Sequence, residues 1–366
     1  MKKIIIDSTI LRNAVNKLQQ AIPRKSFLPV LNNLHVQISK GIATLTATDL
    51  ELTIICRVPC ESNDSFKLLL PFEDIKRIVL LYNEPLVIEI NDKKETTVLC
   101  GEDFFNLGLP FNIADFPPID KIPNVTGIPL DDSVFQYINI ALLSSEKDVY
   151  NAINQSFANA LLHFKDNFLN IVCTDAKLLF RKTIPVPKEA EELFIQVTPK
   201  IAGALKGLGG ITMFNGDAKI IFQTDSITVI GNLPVDKYPN YQRVIPNYEF
   251  NSTVSKSEIQ NALLKCAVIG DVRNEIIITT TDTTFRFESR IKELNKASST
   301  TIDVQYSGAC KKIAVNGNYL LTLLKQVGDD VKELCLSITG QDKVILIMPK
   351  GDDSMLLLLA PIQFID

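Results

Sequence analysis

Residues 8–20 read STILRNAVNKLQQ, residues 130–143 read LDDSVFQYINIALL and residues 255–267 read SKSEIQNALLKCA. Each opens on a good helix-capping residue: Ser8, Asp131 or Asp132, and Ser255. A short side-chain oxygen at that point can accept one of the backbone N–H groups that a helix start leaves unpaired. Apolar residues then follow at helical spacing, such as Ile10, Ala14 and Leu18, or Ile259, Ala262, Leu263 and Cys266. A second helix-like stretch comes after a short strand-like run in each third of the chain: LLLPFEDIKRIVLLY at 68–82, IQVTPKIAGALKGL at 195–208 and IAVNGNYLLTLLKQV at 313–327. Pro71 and Pro199 fall near the starts of two of these, where a missing N–H costs nothing. Strand-length runs broken by turn residues follow each one, as in LVIEINDKKETTVLC at 86–100 and LCLSITGQDKVILIM at 334–348.

Helix, strands, helix, strands therefore recurs three times, which marks an internal repeat. Two helices that each bury one stripe need a sheet to lie on, so each repeat reads as an α+β unit with antiparallel strands. The expected domains are 1–125, 126–248 and 249–366. The boundaries fall near two proline-rich stretches, FPPIDKIPNVTGIP at 116–129 and NLPVDKYPNYQRVIP at 232–246. Pro234, Pro239 and Pro246 each fix φ and remove a donor, so the second stretch can be neither a central strand nor a helix interior.

A chain of 366 residues exceeds what one core usually serves, and 46% hydrophobic with 22% charged residues is ordinary for a folded protein. The seven cysteines are odd in number and sit mostly in apolar runs, which suits reduced, buried thiols. Cys56 and Cys60 lack the second pair or histidine that a zinc site needs. In the opening MKKIIIDSTILRN, Asp7 ends the apolar run too early for a signal peptide, and MLLLLAPI at 355–362 is too short to span a bilayer. The expectation is a soluble, cytoplasmic protein without cofactor or metal. Catalysis has little to work with: His35 and His163 both lie in strand-like contexts and read as structural. No phosphate-binding loop or nucleophile elbow is present, and GLGG at 207–210 reads as a helix stop and turn.

The six helix-like stretches carry a formal charge of +4 together, while the whole chain carries −4. A mildly positive helix set on an acidic body suits a protein that holds a phosphate backbone on one face and repels it elsewhere.

The chain resembles the bacterial DNA polymerase III beta subunit family, the replication sliding clamps. The resemblance rests on KSFLPVLNNLHV at 25–36, TATDLELTI at 46–54, IADFPPI at 113–119, CTDAKLL at 173–179, KYPNYQRVIP at 237–246, VQYSG at 304–308 and the LLLLAPI ending, in that order over the whole length. It implies three similar DNA-clamp domains and a head-to-tail homodimer that forms a ring around duplex DNA, with helices lining the hole. Such a ring is a processivity factor of DNA replication and no enzyme. It tethers the polymerase III catalytic subunit and also meets the clamp loader and other clamp-binding peptides.

The resemblance further implies a peptide groove between the second and third domains. It would be lined by Thr174, Ala176, Lys177, Leu178, Leu179, Pro239, Arg243 and Val244, with Leu358, Ala360 and Ile362 completing the floor. Arg24, Lys25, Lys147 (in the EKDVYNAINQ segment) and Lys200 would meet DNA, and Leu107, Val268 and Ile269 would lie at the ring seam. Four positions depart from the family pattern: TDAKLL lacks a histidine and, at Leu178, a basic residue, Ala360 stands for a methionine, and Gln155 stands for an arginine. Two other readings accompany this one. A clamp-fold scaffold with weakened DNA or peptide binding is one, and a small-molecule enzyme on a triplicated α+β scaffold is the other.

Overall fold

The computed structural model describes residues 2–108, 111–123, 125–148, 154–186, 192–269 and 274–363. Among them are six α-helices: α1 (Ser8–Leu18), α2 (Phe72–Leu81), α3 (Ser133–Ala141), α4 (Pro199–Leu205), α5 (Lys256–Ala267) and α6 (Gly317–Gln326). The element order repeats: one strand, a helix, four strands, a helix, three strands. The third copy adds only the two-residue strand Gln305–Tyr306. All pairings between strands are antiparallel, as the alternating runs and short turn signals require.

Local chemistry explains the helices. Asp7, rather than Ser8, caps α1, its Oδ1 accepting from the Ile10 amide at 2.9 Å. The buried face of α1 runs through Leu11, Ala14, Val15 and Leu18, and Ile10, expected on that face, stands outside it. Consecutive residues lie about 100° apart around a helix, so the stripe set by Leu11, Ala14, Val15 and Leu18 leaves Ile10 at its edge. In α5 the expected cap and face hold: Ser255 accepts from Glu258, and Ile259, Ala262, Leu263 and Cys266 are buried. Ahead of α3, Asp132 Oδ1 accepts from the Gly210 amide at 2.9 Å. The GLGG stretch stops α4, with Gly207 and Gly210 both at positive φ, where a Cβ would be strained.

The chain packs as two compact units, residues 1–132 with 200–233 and residues 133–199 with 234–366. In the first unit an eight-stranded sheet runs in the order Phe66–Pro71, Asn33–Ser39, Ile42–Thr48, Leu52–Pro59, Ile227–Asn232, Lys219–Gln223, Thr212–Asn215, Ile128–Pro129. A four-stranded sheet runs Lys2–Ile6, Leu86–Ile90, Thr96–Cys100, Asp103–Asn106. In the second unit the large sheet has nine strands: Leu193–Val197, Ala160–Lys165, Phe168–Thr174, Leu178–Pro185, Met355–Leu359, Ile345–Pro349, Glu333–Ser337, Ser252–Ser255, Gln305–Tyr306. Its small companion runs Lys296–Asp303, Thr284–Ile291, Glu275–Thr280, Lys312–Asn316.

The two large sheets are built by the same join. The fourth strand of one repeat pairs with the last strand of the next: Leu52 opposite Gly231 in the first unit, Leu178 opposite Leu359 in the second. Burial of continuous apolar strands, such as the run Leu356, Leu357, Leu358 and Leu359, supplies the core that makes this join stable.

The cysteines are free thiols, all buried except the half-buried Cys60 and Cys335. Burial pushes the Cys56 and Cys173 thiols up to about 12, so neither is a ready nucleophile. No helix among the described residues is long and apolar enough to cross a membrane.

Candidate functional site

The TDAKL stretch forms the turn between strands Phe168–Thr174 and Leu178–Pro185. Thr174 Oγ1 donates to the Leu178 carbonyl at 2.6 Å and accepts from the Ala176 amide at 3.1 Å. Asp175 Oδ1 accepts from the amides of Lys177 and Leu178 at 2.8 and 2.9 Å. These bonds hold Ala176 at φ 71, a left-handed conformation that costs a non-glycine residue about 1 kcal/mol. The turn leaves Ala176 and Lys177 exposed and sends Leu178 and Leu179 into the sheet.

Leu179 lies directly opposite Leu358, and the Ala360 amide donates to the Lys177 carbonyl at 2.7 Å. The chain end is held further by the Ile362 amide, which donates to the Ala314 carbonyl at 2.8 Å. Leu179 and Leu358 share one buried cluster with Leu161, Val172, Tyr241, Leu346 and Leu356, and Tyr238, Ile245, Tyr248 and Val344 pack against it half-buried. The proline-rich stretch forms neither strand nor α-helix there. It makes one 3-10 turn, Tyr241–Val244, capped by Asn240 through the Gln242 amide at 3.1 Å. Tyr241 is pinned beneath it by His163 Nδ1 at 2.9 Å, and His163 Nε2 meets Glu192 at 3.0 Å. Burial pushes the Tyr241 hydroxyl up to about 12, so it stays protonated and fixed.

The expected groove residues are therefore brought together within the second unit. Leu179 and Leu358 form a buried floor, whereas Leu178, next to Leu179 on the strand, faces the other side of the sheet and is not in that cluster; Thr174 holds the turn. Pro239, Ala360 and Ile362 are half-buried, and Ala176, Lys177, Arg243 and the Val244 side chain (53% exposed) are exposed. Lys177 Nζ donates to the Tyr319 hydroxyl at 3.2 Å and lies 5.6 Å from its ring, and that hydrogen bond raises its pKa.

The expected DNA contacts differ among themselves. Arg24 and Lys25 are exposed on the loop after α1, with no ion-pair partner among the described residues. Lys200 is held by Asp49 and by Glu51, the latter at 3.0 Å. Partial burial works against its charge, but the bonds to the two carboxylates outweigh it and raise its pKa. Lys147 donates to the Leu142 carbonyl at 2.6 Å and to Ser145 Oγ at 2.9 Å. Residues 149–153 of its segment lie outside the described residues. Of the seam candidates, Val268 is exposed, and Ile269 and Leu107 are half-buried. The sequence reading missed Phe104, 70% exposed on the edge strand Asp103–Asn106.

Histidine chemistry is structural here. His35 packs its ring 5.3 Å from Phe116, and burial first, then Lys67, lowers its pKa. Among the described residues no three His, Cys, Asp or Glu side chains converge as a metal site requires.

Comparison with known proteins identifies the architecture. The DNA polymerase III beta subunit N-terminal domain profile matches residues 2–120, and the C-terminal domain profile of the same family matches residues 242–363. The chain belongs to the DNA polymerase III beta subunit family. A beta sliding clamp of Staphylococcus epidermidis is 23% identical over 375 residues, covering 96% of both chains. A Pseudomonas aeruginosa sliding clamp bound to griselimycin superposes with a TM-score of 0.88 at 20% identity, over 99% of this chain and 100% of that one. A Helicobacter pylori beta clamp bound to a DNA ligase peptide superposes with a TM-score of 0.85 at 18% identity, again over 99% and 100%.

Proposed function

We infer that this protein is a sliding clamp of DNA replication: a head-to-tail homodimer that encircles duplex DNA and tethers the replicative polymerase. Its three repeats, 1–125, 126–248 and 249–366, supply equivalent pieces of the ring. Membership of the beta-subunit family carries the reading. Sheet edges support it. In each large sheet a fourth strand pairs with the last strand of the next repeat. Two strands of these same classes, Lys296–Asp303 and Asp103–Asn106, instead end their sheets. A second copy of the chain can pair them, closing edges that would otherwise invite aggregation. Phe104, Leu107, Val268 and Ile269 are apolar candidates for that seam.

Duplex DNA is held without base readout by phosphate-directed cations, chiefly Arg24 and Lys25, while Lys147 and Lys200 exchange their present partners to join. The polymerase III catalytic subunit, the clamp loader and other clamp users dock short peptides on the lip formed by Lys177, Arg243 and Val244 over the Leu179–Leu358 floor. The Helicobacter pylori clamp bound to a ligase peptide lends weight to this use of the fold. The protein works in the cytoplasm, catalyses no reaction and needs no cofactor.

Retention on circular DNA tests the reading. A closed ring stays on a nicked circle and runs off when the circle is cut. Ile269→Asp puts a charge at the seam and should release intact circles as well. Equal loss from cut and uncut circles by the unaltered protein would contradict enclosure.

A further inference from the structure

A cavity of about 1040 Å³ in the first unit lies beside the loop that carries Arg24 and Lys25. Its lining includes four exposed amide side chains, Asn16, Gln19 and Gln20 from the end of α1 and its following turn, and Asn32. None of the four side chains is hydrogen-bonded among the described residues. Arg24 lines the cavity as a cation without a carboxylate partner, whereas Lys200, also in the lining, is already neutralised by Asp49 and Glu51. Between the lining residues Arg24 and Pro29 stands Phe27, whose ring is wholly exposed, followed by the half-exposed Leu28.

Phosphate-directed sliding explains the two basic residues and nothing else in this group. A phosphate backbone has no use for an aromatic face, and a duplex hides its base faces and pairing edges inside the stack. An amide offers a donor and an acceptor side by side, the pattern that matches a base edge. An exposed aromatic next to cations is the combination that binds single strands: charge follows the backbone and the ring stacks on a base. The lining is mixed, with Ile22, Phe72 and Phe111 beside the amides, and it carries the Glu73 carboxylate; Arg24 and the exposed Lys25 on the adjoining loop outnumber that carboxylate and favour an anionic chain.

We propose that the cavity and the loop of residues 22–29 form a seat for unpaired nucleotides, with Phe27 stacking on a base, Arg24 on its phosphate and the amides along its edge. The inference rests on the clamp reading and adds to it. A clamp with such a seat distinguishes a duplex that continues into a single strand from an uninterrupted duplex.

The chain contains no tryptophan, so Phe27→Trp places a single reporter at the seat. Its emission should be quenched by oligothymidine and by a duplex with a thymidine overhang, but not by the same duplex with blunt ends. In anisotropy titrations the unaltered protein should bind the overhang duplex at least about fivefold tighter than the blunt one, and Phe27→Ala should abolish that difference. Blunt-duplex binding should not change, because Phe27 makes no phosphate contact. Absence of quenching by single strands, or an equal loss on both duplexes in Phe27→Ala, would overturn the seat and would leave Phe27 as a protein contact. Failure on DNA circles with quenching intact would remove the clamp reading and keep the seat.

Discussion

Two turns built to the same plan are finished differently in the two units. Thr48-Asp49-Leu50-Glu51-Leu52 repeats the bonding of Thr174-Asp175-Ala176-Lys177-Leu178 almost atom for atom. Thr48 Oγ1 donates to Leu52 and accepts from Leu50, Asp49 Oδ1 accepts from Glu51 and Leu52, and Leu50 sits at φ 77. The neighbouring strand end is tied the same way, Asn232 to the Glu51 carbonyl and Ala360 to the Lys177 carbonyl. The side chains then diverge. In the first unit Asn232 Nδ2 reaches back to the Leu50 carbonyl at 3.2 Å, and Lys200 joins Asp49 to Glu51, so the turn is closed by its own polar groups. In the second unit the counterparts are a methyl group at Ala360 and a lysine drawn aside to Tyr319. Nothing polar closes that turn from Ala360, and an apolar cluster lies beside it. The lesson is that a few side chains decide whether one backbone design is closed by its own polar groups or left open beside an apolar cluster.

Breaking the floor should have the largest effect. Leu179→Asp buries an unpaired carboxylate in the cluster it shares with Leu358 and should cost about 3–5 kcal/mol in a urea titration. A cost under about 1 kcal/mol would mean that the cluster is not packed as described.

The two aspartates that hold the turns come next. Asp175→Ala removes the acceptor for two amides and should cost about 1 kcal/mol. Asp49→Ala removes the same two bonds and one partner of Lys200, a contact discounted because Lys200 is over a third exposed. The total should lie between about 1 and 2 kcal/mol. Equal costs would show that the ion pair adds nothing to the first turn.

Beside the second unit's turn, Ala360→Met should tighten binding of a short apolar clamp-user peptide about tenfold, because one or two more buried methylene groups add roughly 1–2 kcal/mol. Calorimetry that finds no gain would place the peptide away from residue 360.

The smallest effect concerns the pin beneath Tyr241. The hydrogen bond from His163, then that from Lys165, holds the Glu192 carboxyl below its ordinary value. A depressed carboxylate pKa adds stability that is present above the ordinary value of 4.5 and is lost as pH falls through the folded value. Glu192→Gln should therefore flatten the dependence of the urea midpoint on pH in that acidic window, and an unchanged slope would remove the pin.

The threefold layout was legible because amphipathic spacing and proline breaks are local signals, and they survive in α5 with its Ser255 cap. The Thr-Asp turns were also in plain view, at Thr48-Asp49, Thr174-Asp175 and Thr281-Asp282, and could have been read as a third mark of the repeat. Less legible was whatever joins distant residues. No periodicity distinguishes Asp7 from Ser8 as a cap, and Ile10 lies off the buried face because Leu11 and Val15 set its centre. Lys200 read as a free cation because its carboxylates lie about 150 positions away, at Asp49 and Glu51. The exposed edge of Asp103–Asn106, with Phe104 on it, depends on sheet order, which no single strand encodes. Among the groove residues, Leu179 and Leu358 were found through the family resemblance, while their burial under half-buried tyrosines required the packing.

The central claim is that the second unit's turn, and not its counterpart, receives partners. The direct measurement is calorimetric titration of one clamp-user peptide, carrying glutamine followed by leucine and phenylalanine, into the unaltered protein, Val244→Asp and Asn232→Asp. Val244 is over half exposed, so its replacement should leave folding intact while placing a charge where apolar side chains dock. Val244→Asp should weaken binding at least tenfold, about 1.4 kcal/mol, and Asn232→Asp should leave it unchanged. Undiminished binding to Val244→Asp, or a loss confined to Asn232→Asp, would contradict the account.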